Sequence, residues 1–317
     1  MYSEKRSTSS SQGTQTPSPK RKGEQHVPGL RLTLRDVAIL QAVYRYRALT
    51  TPQVERLFFS DDGKKSASKP NTRCQYRLQL LHHHGFLTRE EQPQRLSEGR
   101  KPFVYWLGKK GAELVEELLD GEELDWNARE HRVSNLFLEH LLATNDVRIA
   151  ISNAARKHNF SIPIWLDDHR LKRQQMTDVV TLRGPQGRTQ RAGVVPDGYF
   201  VLDTGQYLYH HFLEIDLRTV TGAASTWGKR DWARKVSTFL EYYRSGKYQE
   251  RYKTQGLRIL TVTTGEKRLV NLKVATEKAG GRSRFWFATF EQIRKSDVLS
   301  EAIWQKAGEA GAYTLIW

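Results

Sequence analysis

The residues between 197 and 235 include acids and lysines whose types and spacing could do metal-assisted hydrolysis. Asp197 stands in the run V-V-P-D-G-Y-F, at the mouth of a predicted strand, and Glu214 and Asp216 stand in F-L-E-I-D-L, inside the next. Aromatic and branched residues flank Asp203-Thr204-Gly205-Gln206, so the two runs read as strands joined by a tight turn. Strand side chains alternate, which puts Glu214 and Asp216 on one face and the apolar Leu213, Ile215 and Leu217 on the other. Two acids sharing a face repel each other unless a cation or a base lies between them. Mg²⁺ or Mn²⁺ takes oxygen ligands and keeps several waters. Asp197 and Glu214, with an oxygen from the Ile215 carbonyl, would therefore suffice to hold one and the water it activates. A basic helix with Lys229, Arg230, Arg234 and Lys235 follows. The plainer alternative gives Pro-Asp-Gly to turn chemistry and both acids to a solvated strand face.

The elements needed to position these groups are legible on both sides. Residues 126 to about 158 form a long amphipathic segment, with Leu136, Phe137, His140, Leu141, Val147, Ile151 and Ala154 at helical spacing. Glu130 or Glu139 on that helix could add an acid to the site. Strands are predicted over Phe160 to Leu166 and Val179 to Leu182, with a Gly184-Pro185-Gln186-Gly187 turn before the approach to Asp197. After the acids, Trp232, Val236, Phe239, Leu240 and Tyr243 make a helix that covers the sheet. Arg258 to Thr264 is a near-continuous apolar strand of buried type. A basic helix (Lys267 to Lys278) and a strand (Arg284 to Thr289) complete a helix–strand–strand–strand–helix–strand order, which is an α/β layer with a mixed sheet. No Walker loop, GxGxxG, HExxH or nucleophile elbow is present.

A different unit comes first. Thr33 caps a helix carrying Val37, Ile39, Leu40, Val43 and Tyr44. Thr51 and Pro52 open a second, and a third runs from about Asn71 to His84, stopped by Gly85. Cys74, Leu78 and Leu81 are its buried stripe, so Thr72, Arg73, Gln75, Tyr76 and Gln79 face outward. Strands at Phe86 to Thr88 and Phe103 to Trp106 flank a tip with Arg95, Arg100 and Lys101. Three helices and a two-stranded wing over residues 31–120 predict a winged helix. A fourth helix (Lys109 to Leu119) and an acidic hinge (Gly121 to Asp125) lead to a second domain over 126–317. Residues 1–30 are rich in Ser, Thr, Gln, Pro and Lys and read as a disordered basic tail, with Lys20-Arg21-Lys22 inside it.

Composition bounds the partners. A formal net charge of +16 over 317 residues points to a polyanion, most simply double-stranded DNA. No basic amphipathic helix or lipidation signal supports a membrane surface instead. A single cysteine, Cys74, excludes an internal disulfide framework and fits a reducing cytosol. Without an apolar run of membrane-spanning length, a soluble cytoplasmic protein is expected. His82-His83-His84 cannot converge on one ion, because consecutive helical side chains point in different directions. His210-His211 point to opposite strand faces, and His210 shares the face of Glu214.

Two resemblances add to this. The run R-L-Q-L-L-H-H-H-G-F-L (77–87) resembles the recognition helix and first wing strand of winged helix-turn-helix proteins. The resemblance implies base or phosphate contacts from Arg73, Gln75, Tyr76, Arg77 and Gln79. It implies wing contacts from Arg95, Arg100 and Lys101. Asp197 with Glu214-Ile215-Asp216 resembles the PD-(D/E)xK nuclease core, with Asp216 where the lysine is usual. Some members of that superfamily carry the lysine on the following helix, which makes Lys235 the first choice and Lys229 the second. Together the two halves resemble the replication-relaxation family, associated with bacterial plasmids and mobile elements. That resemblance covers residues from about 32 to 290. It implies a DNA-binding protein of plasmid replication or relaxation, with a winged helix on duplex DNA and a restriction-endonuclease-like domain that nicks it in the presence of magnesium. Its partners would be DNA and other replication or mobilisation proteins, and a homodimer is left open. The rival expectations are a non-enzymatic transcriptional or replication regulator with an inactive nuclease-like half, and a nuclease directed at foreign DNA.

Overall fold

The computed structural model describes residues 28–59, 71–93, 99–119, 124–127, 134–183, 188–217 and 226–316, the side chains of 226–231 excepted. Most of the expected tail, Arg95, Glu130 and the side chain of Lys229 therefore lie outside the described residues.

The first unit begins at α1 (Leu34–Tyr46), where Thr33 and Asp36 cap each other's backbone amides in a capping box. Strand β1 (Ala48–Thr50) and α2 (Thr51–Phe58) follow, with Pro52 in the first turn. The cap of α2 is Thr50, one residue earlier than the sequence predicts, and its amide donates to Gln53 Oε1 at 2.9 Å. Next come α3 (Thr72–His83), capped by Asn71, then β2 (Leu87–Glu90), β3 (Val104–Leu107) and α4 (Lys109–Glu117). The strands form an antiparallel sheet in the order β1-β3-β2. Cys74, Leu78 and Leu81 of α3 lie in this unit's core with Ile39, Leu40 and Val43 of α1, as the helical spacing predicts. Gly111 is required at the join of α4 and β2. A Cβ there would lie 2.2 Å from the Phe86 carbonyl oxygen.

The second layer is built on α5 (Asn135–Lys157), β4 (Ser161–Asp167), α6 (Asp168–Arg173), the hairpin β5 (Asp178–Arg183) and β6 (Thr189–Val194), β7 (Gly198–Asp203) and β8 (Leu208–Asp216). It continues with α7 (Thr226–Arg244), α8 (Lys247–Tyr252), β9 (Leu257–Thr263), α9 (Glu266–Lys278), β10 (Phe285–Thr289), α10 (Phe290–Lys295) and β11 (Gln305–Lys306). Six strands make a mixed sheet in the order β11-β10-β9-β8-β7-β4. Strands β8, β9 and β10 are parallel, while β4 and β7 pair antiparallel with their neighbours. The turn between β7 and β8 falls at Gly205, whose φ of 80° is favourable only for glycine, and Asp203 Oδ1 accepts its amide at 2.7 Å.

Both sheet faces are buried. Leu213, Ile215, Leu260 and Val262 pack under α5 and the C-terminal segment, whose Trp304 and Leu315 the sequence pattern assigned to no element. Phe212, Ile259 and Phe287 pack on the other face under Val236 and Phe239 of α7 and Leu269 of α9. The sequence order placed Val179 to Leu182 in series with the sheet strands. Instead β5 pairs only with β6, and this two-stranded hairpin lies on α7. Helix α5 touches both layers. Its Leu138, Leu141 and Leu142 pack on Ala48, Val104 and Trp106, while its Val147 and Ile151 face the six-stranded sheet.

Candidate active site

Asp197 lies just before β7, where antiparallel pairing of β7 with β8 sets Gly198 against Leu213. That register carries the Asp197 carboxyl over the end of β8, and its Oδ2 accepts the Ile215 amide at 2.7 Å. The same oxygen lies 3.2 Å from His140 Nε2, on α5. Glu214 sits one residue earlier on β8, on the face toward α7, and is 1 % exposed. Its Oε2 accepts a hydrogen bond from Lys235 Nζ. Lys235 is brought there because Val236 and Phe239, beside it on α7, are anchored in the core on that face of the sheet. The other carboxylate oxygen of Glu214, Oε1, is buried and has no hydrogen-bond partner among the described residues. A buried acceptor left unmade is costly, so it marks a place where a ligand is wanted.

The electrostatics follow from burial and from these pairings. Burial pushes the Glu214 carboxyl up to about 8, Lys235 pulls against that, and Asp197 adds to the rise. Burial alone would lower the Lys235 ammonium, but the carboxylates of Glu214 and Asp197 outweigh it and hold it above its ordinary value. Asp197 is held below the usual carboxylate range; burial opposes this, and Lys235, His140 and the Ile215 amide prevail. His140 is raised, because the Asp197 carboxylate outweighs the effect of burial. The four side chains form one interacting set.

Asp216, two residues on along β8, still acts electrostatically on Lys235 but has bonding partners of its own. The parallel register sets it beside Thr263 of β9, whose hydroxyl donates to Asp216 Oδ2 at 2.7 Å. Arg268 of α9 grips both of its oxygens, at 2.9 and 2.7 Å. A carboxylate held in this fork is not offered to a substrate. Glu139 faces the first unit, 3.7 Å from Lys101, so the α5 side chain that reaches the site is His140 instead. Sequence spacing put His140 on the helix's inward stripe and gave it no role. That inward position was the only available signal. His210 bonds the Tyr199 hydroxyl at 2.7 Å, outside this set. Of the lysine candidates, Lys235 meets Glu214.

On the first unit, Arg73, Gln75, Tyr76 and Gln79 are exposed along α3. Arg77 is turned inward. Its guanidinium forks onto the buried carboxylate of Asp36, with Nε at 3.0 Å from Oδ1, and it also donates to the Arg31 carbonyl at 3.2 Å. Near the β2–β3 hairpin, exposed Arg100 lies 3.2 Å from Glu91 and over the Phe103 ring. His82 and His84 bond separate carbonyls, those of Leu87 and Pro28.

Among the described residues, no group of three or more His, Cys, Asp or Glu side chains is arranged to hold a metal ion. Asp197 and Glu214 thus offer two carboxylates rather than a closed cage. That is enough for Mg²⁺ or Mn²⁺, which complete their shells with water, and the unpartnered Oε1 fits such a role. No described helix is long and apolar enough to cross a membrane.

Fold and site together define a mixed α/β protein with a carboxylate–lysine centre at the end of its central sheet strands. The sequence model of the replication-relaxation family matches residues 40–257, most of the chain, and the protein belongs to that family. Two solved structures are similar over much of the chain. The restriction endonuclease FokI is 12 % identical with a TM-score of 0.24, covering 83 % of this chain and 44 % of that one. FokI bound to DNA is 11 % identical with a TM-score of 0.24, covering 81 % and 43 %. The chain thus spans less than half the length of these proteins. No curated protein matches it.

Proposed function

We propose that this replication-relaxation protein docks on duplex DNA through a winged helix-turn-helix in its first unit and nicks the backbone with the Asp197–Glu214–Lys235 centre of a nuclease-like second layer. The observation that carries this reading is the meeting of two acids and a lysine from three separate segments, with one buried carboxylate oxygen left unpartnered. Asp197 and Glu214 would hold Mg²⁺ or Mn²⁺. When bound, such an ion polarises a phosphoryl oxygen and makes water a nucleophile near neutral pH. Lys235 supplies a fixed positive charge beside the developing negative charge at phosphorus. His140 holds Asp197 from behind and keeps its carboxylate aimed at the end of β8. On the first unit, the exposed Arg73, Gln75, Tyr76 and Gln79 would meet the DNA, with the hairpin residues Arg100 and Lys101 beside them. Plasmid DNA is the natural first substrate, given the family.

The test is nicking of supercoiled plasmid by the purified full chain with Mg²⁺ or Mn²⁺. Wild type should convert it to open circles. Chelation should stop this, and Glu214→Gln should reduce it by at least about 10²-fold, the scale of losing one electrostatic stabiliser. A second reading, a DNA-binding regulator without chemistry, is favoured by Asp216. It stands in the triplet position where a lysine would act and is locked by Arg268. Wild-type protein that binds DNA but never cuts it with either metal decides for that reading.

A further inference from the structure

The β5–β6 hairpin leaves the main sheet and packs on α7 through Val180, Ala192 and Val194. Two cavities of about 260 and 280 Å³ lie beside this contact, and both are lined by Arg234 of α7. The outer one is walled by Arg183 and Arg188, at the hairpin ends of β5 and β6. The inner one reaches Lys235, the partner of Glu214. Among the described residues no acid lines either cavity. Arg183, Arg188 and Arg234 are exposed, and among the described residues none has an acidic partner. This contrasts with Arg77, Arg251 and Arg268, which each fork onto a carboxylate. Cations held near one another without counter-charges repel, so a groove of this kind suits a polyanion. From Arg188 to Gly193 the wall runs about 16 Å at strand rise, long enough for successive phosphates.

We propose that this groove is a track for a single phosphodiester strand, running from Arg183 and Arg188 past Arg234 to Lys235. It rests on the nicking reading only for its endpoint, the linkage delivered to Glu214. Ser237 of α7 lines the outer cavity beside Arg234, and its hydroxyl donates to the Ala233 carbonyl of its own helix, so a leucine there narrows the groove without breaking a contact to the hairpin.

The test is equilibrium binding of a short fluorescent oligo-dT to the full chain without metal, at several salt concentrations. Arg183→Ala/Arg188→Ala/Arg234→Ala should weaken binding on the order of tenfold and reduce the log–log salt slope by about two, since each lost phosphate contact removes about 0.7. Ser237→Leu should weaken binding comparably while leaving the charge unchanged. Arg294→Ala/Lys295→Ala, on α10 across the sheet, should change neither property. Thermal melting of each variant checks the fold. Wild-type affinity in the triple variant overturns the proposal. So does wild-type affinity in Ser237→Leu, which would make the arginines an outer patch and not a track. Plasmid nicking fails separately. Groove-dependent binding without cutting keeps the track and removes the chemistry, and cutting with groove-independent binding does the reverse.

Discussion

Arg77 and Asp36 show how one contact redirects a residue's role. Asp36 is 1 % exposed and is held below the usual carboxylate range. Burial opposes this, and the Arg77 fork and the Thr33 hydrogen bonds overcome it. Such a group stabilises the fold above its unfolded pKa of about 3.9, and the contribution is lost as pH falls through the lower folded value. Wild type should therefore lose stability in acid below about pH 4, and Asp36→Asn should lose less over the same range, as read by urea titration at stepped pH. Arg77→Ala leaves a buried carboxylate with only its Thr33 bonds. It should cost roughly 2–3 kcal/mol at neutral pH, measured by the shift in urea midpoint. The spacing of α3 identified the buried stripe of Cys74, Leu78 and Leu81 correctly. It could not show that Arg77, beside that stripe, had a partner on another helix. The same limit applies to Asp216. Alternation gave it the face of Glu214, but only the register with β9 and the reach of Arg268 decided which partners bond its oxygens.

At the scale of elements, α5 does two jobs. It covers the six-stranded sheet and presents His140 to Asp197, and it is fastened to the first unit by buried polar contacts. Asn145 Nδ2 donates to the Tyr46 and Ala48 carbonyls at 3.0 and 2.7 Å. Gln53 Nε2 donates to the Leu142 carbonyl and to Asp146 Oδ1, both at 2.8 Å. Arg148, itself buried, donates to the Arg45 carbonyl at 2.8 Å and stacks over Tyr46. Asn145→Ala strands two buried carbonyls and should destabilise the protein by roughly 2–4 kcal/mol. Because these bonds join the two layers, urea unfolding followed by tryptophan fluorescence should broaden or split in that variant, where wild type gives one transition. A single, unshifted transition would show that α5 does not link them. The long amphipathic helix was legible from its period, though it starts at Asn135 rather than Trp126. Its second contact face was not legible, because an inward stripe does not say which layer it faces.

Across the whole molecule, the net charge of +16 includes exposed cations on α3 (Arg73), at the β2–β3 hairpin (Arg100) and in the groove beside α7 (Arg183, Arg188, Arg234). Duplex affinity should fall linearly with salt on logarithmic axes, with a slope near −0.9 for each phosphate neutralised. Arg73→Ala should shift relative affinities among duplex sequences, as competition binding on a mixed library would read. Arg183→Ala, on the far unit, should leave those preferences unchanged. A flat salt response would remove DNA as the partner.

Much of this protein was fixed by local chemistry. The helices follow from caps and apolar period, the β7–β8 hairpin from Gly205 between two branched runs, and the basic excess from composition. The family, too, was readable from short motifs. The pairings of acids and bases were left to the tertiary structure. Glu214 with Lys235, Asp216 with Arg268 and Asp36 with Arg77 join residues 21, 52 and 41 positions apart. Period and propensity describe how each segment folds against its own axis. Which charge lies within reach of which depends on how separate segments stack, and there a shift of one strand register or helical turn exchanges every partner.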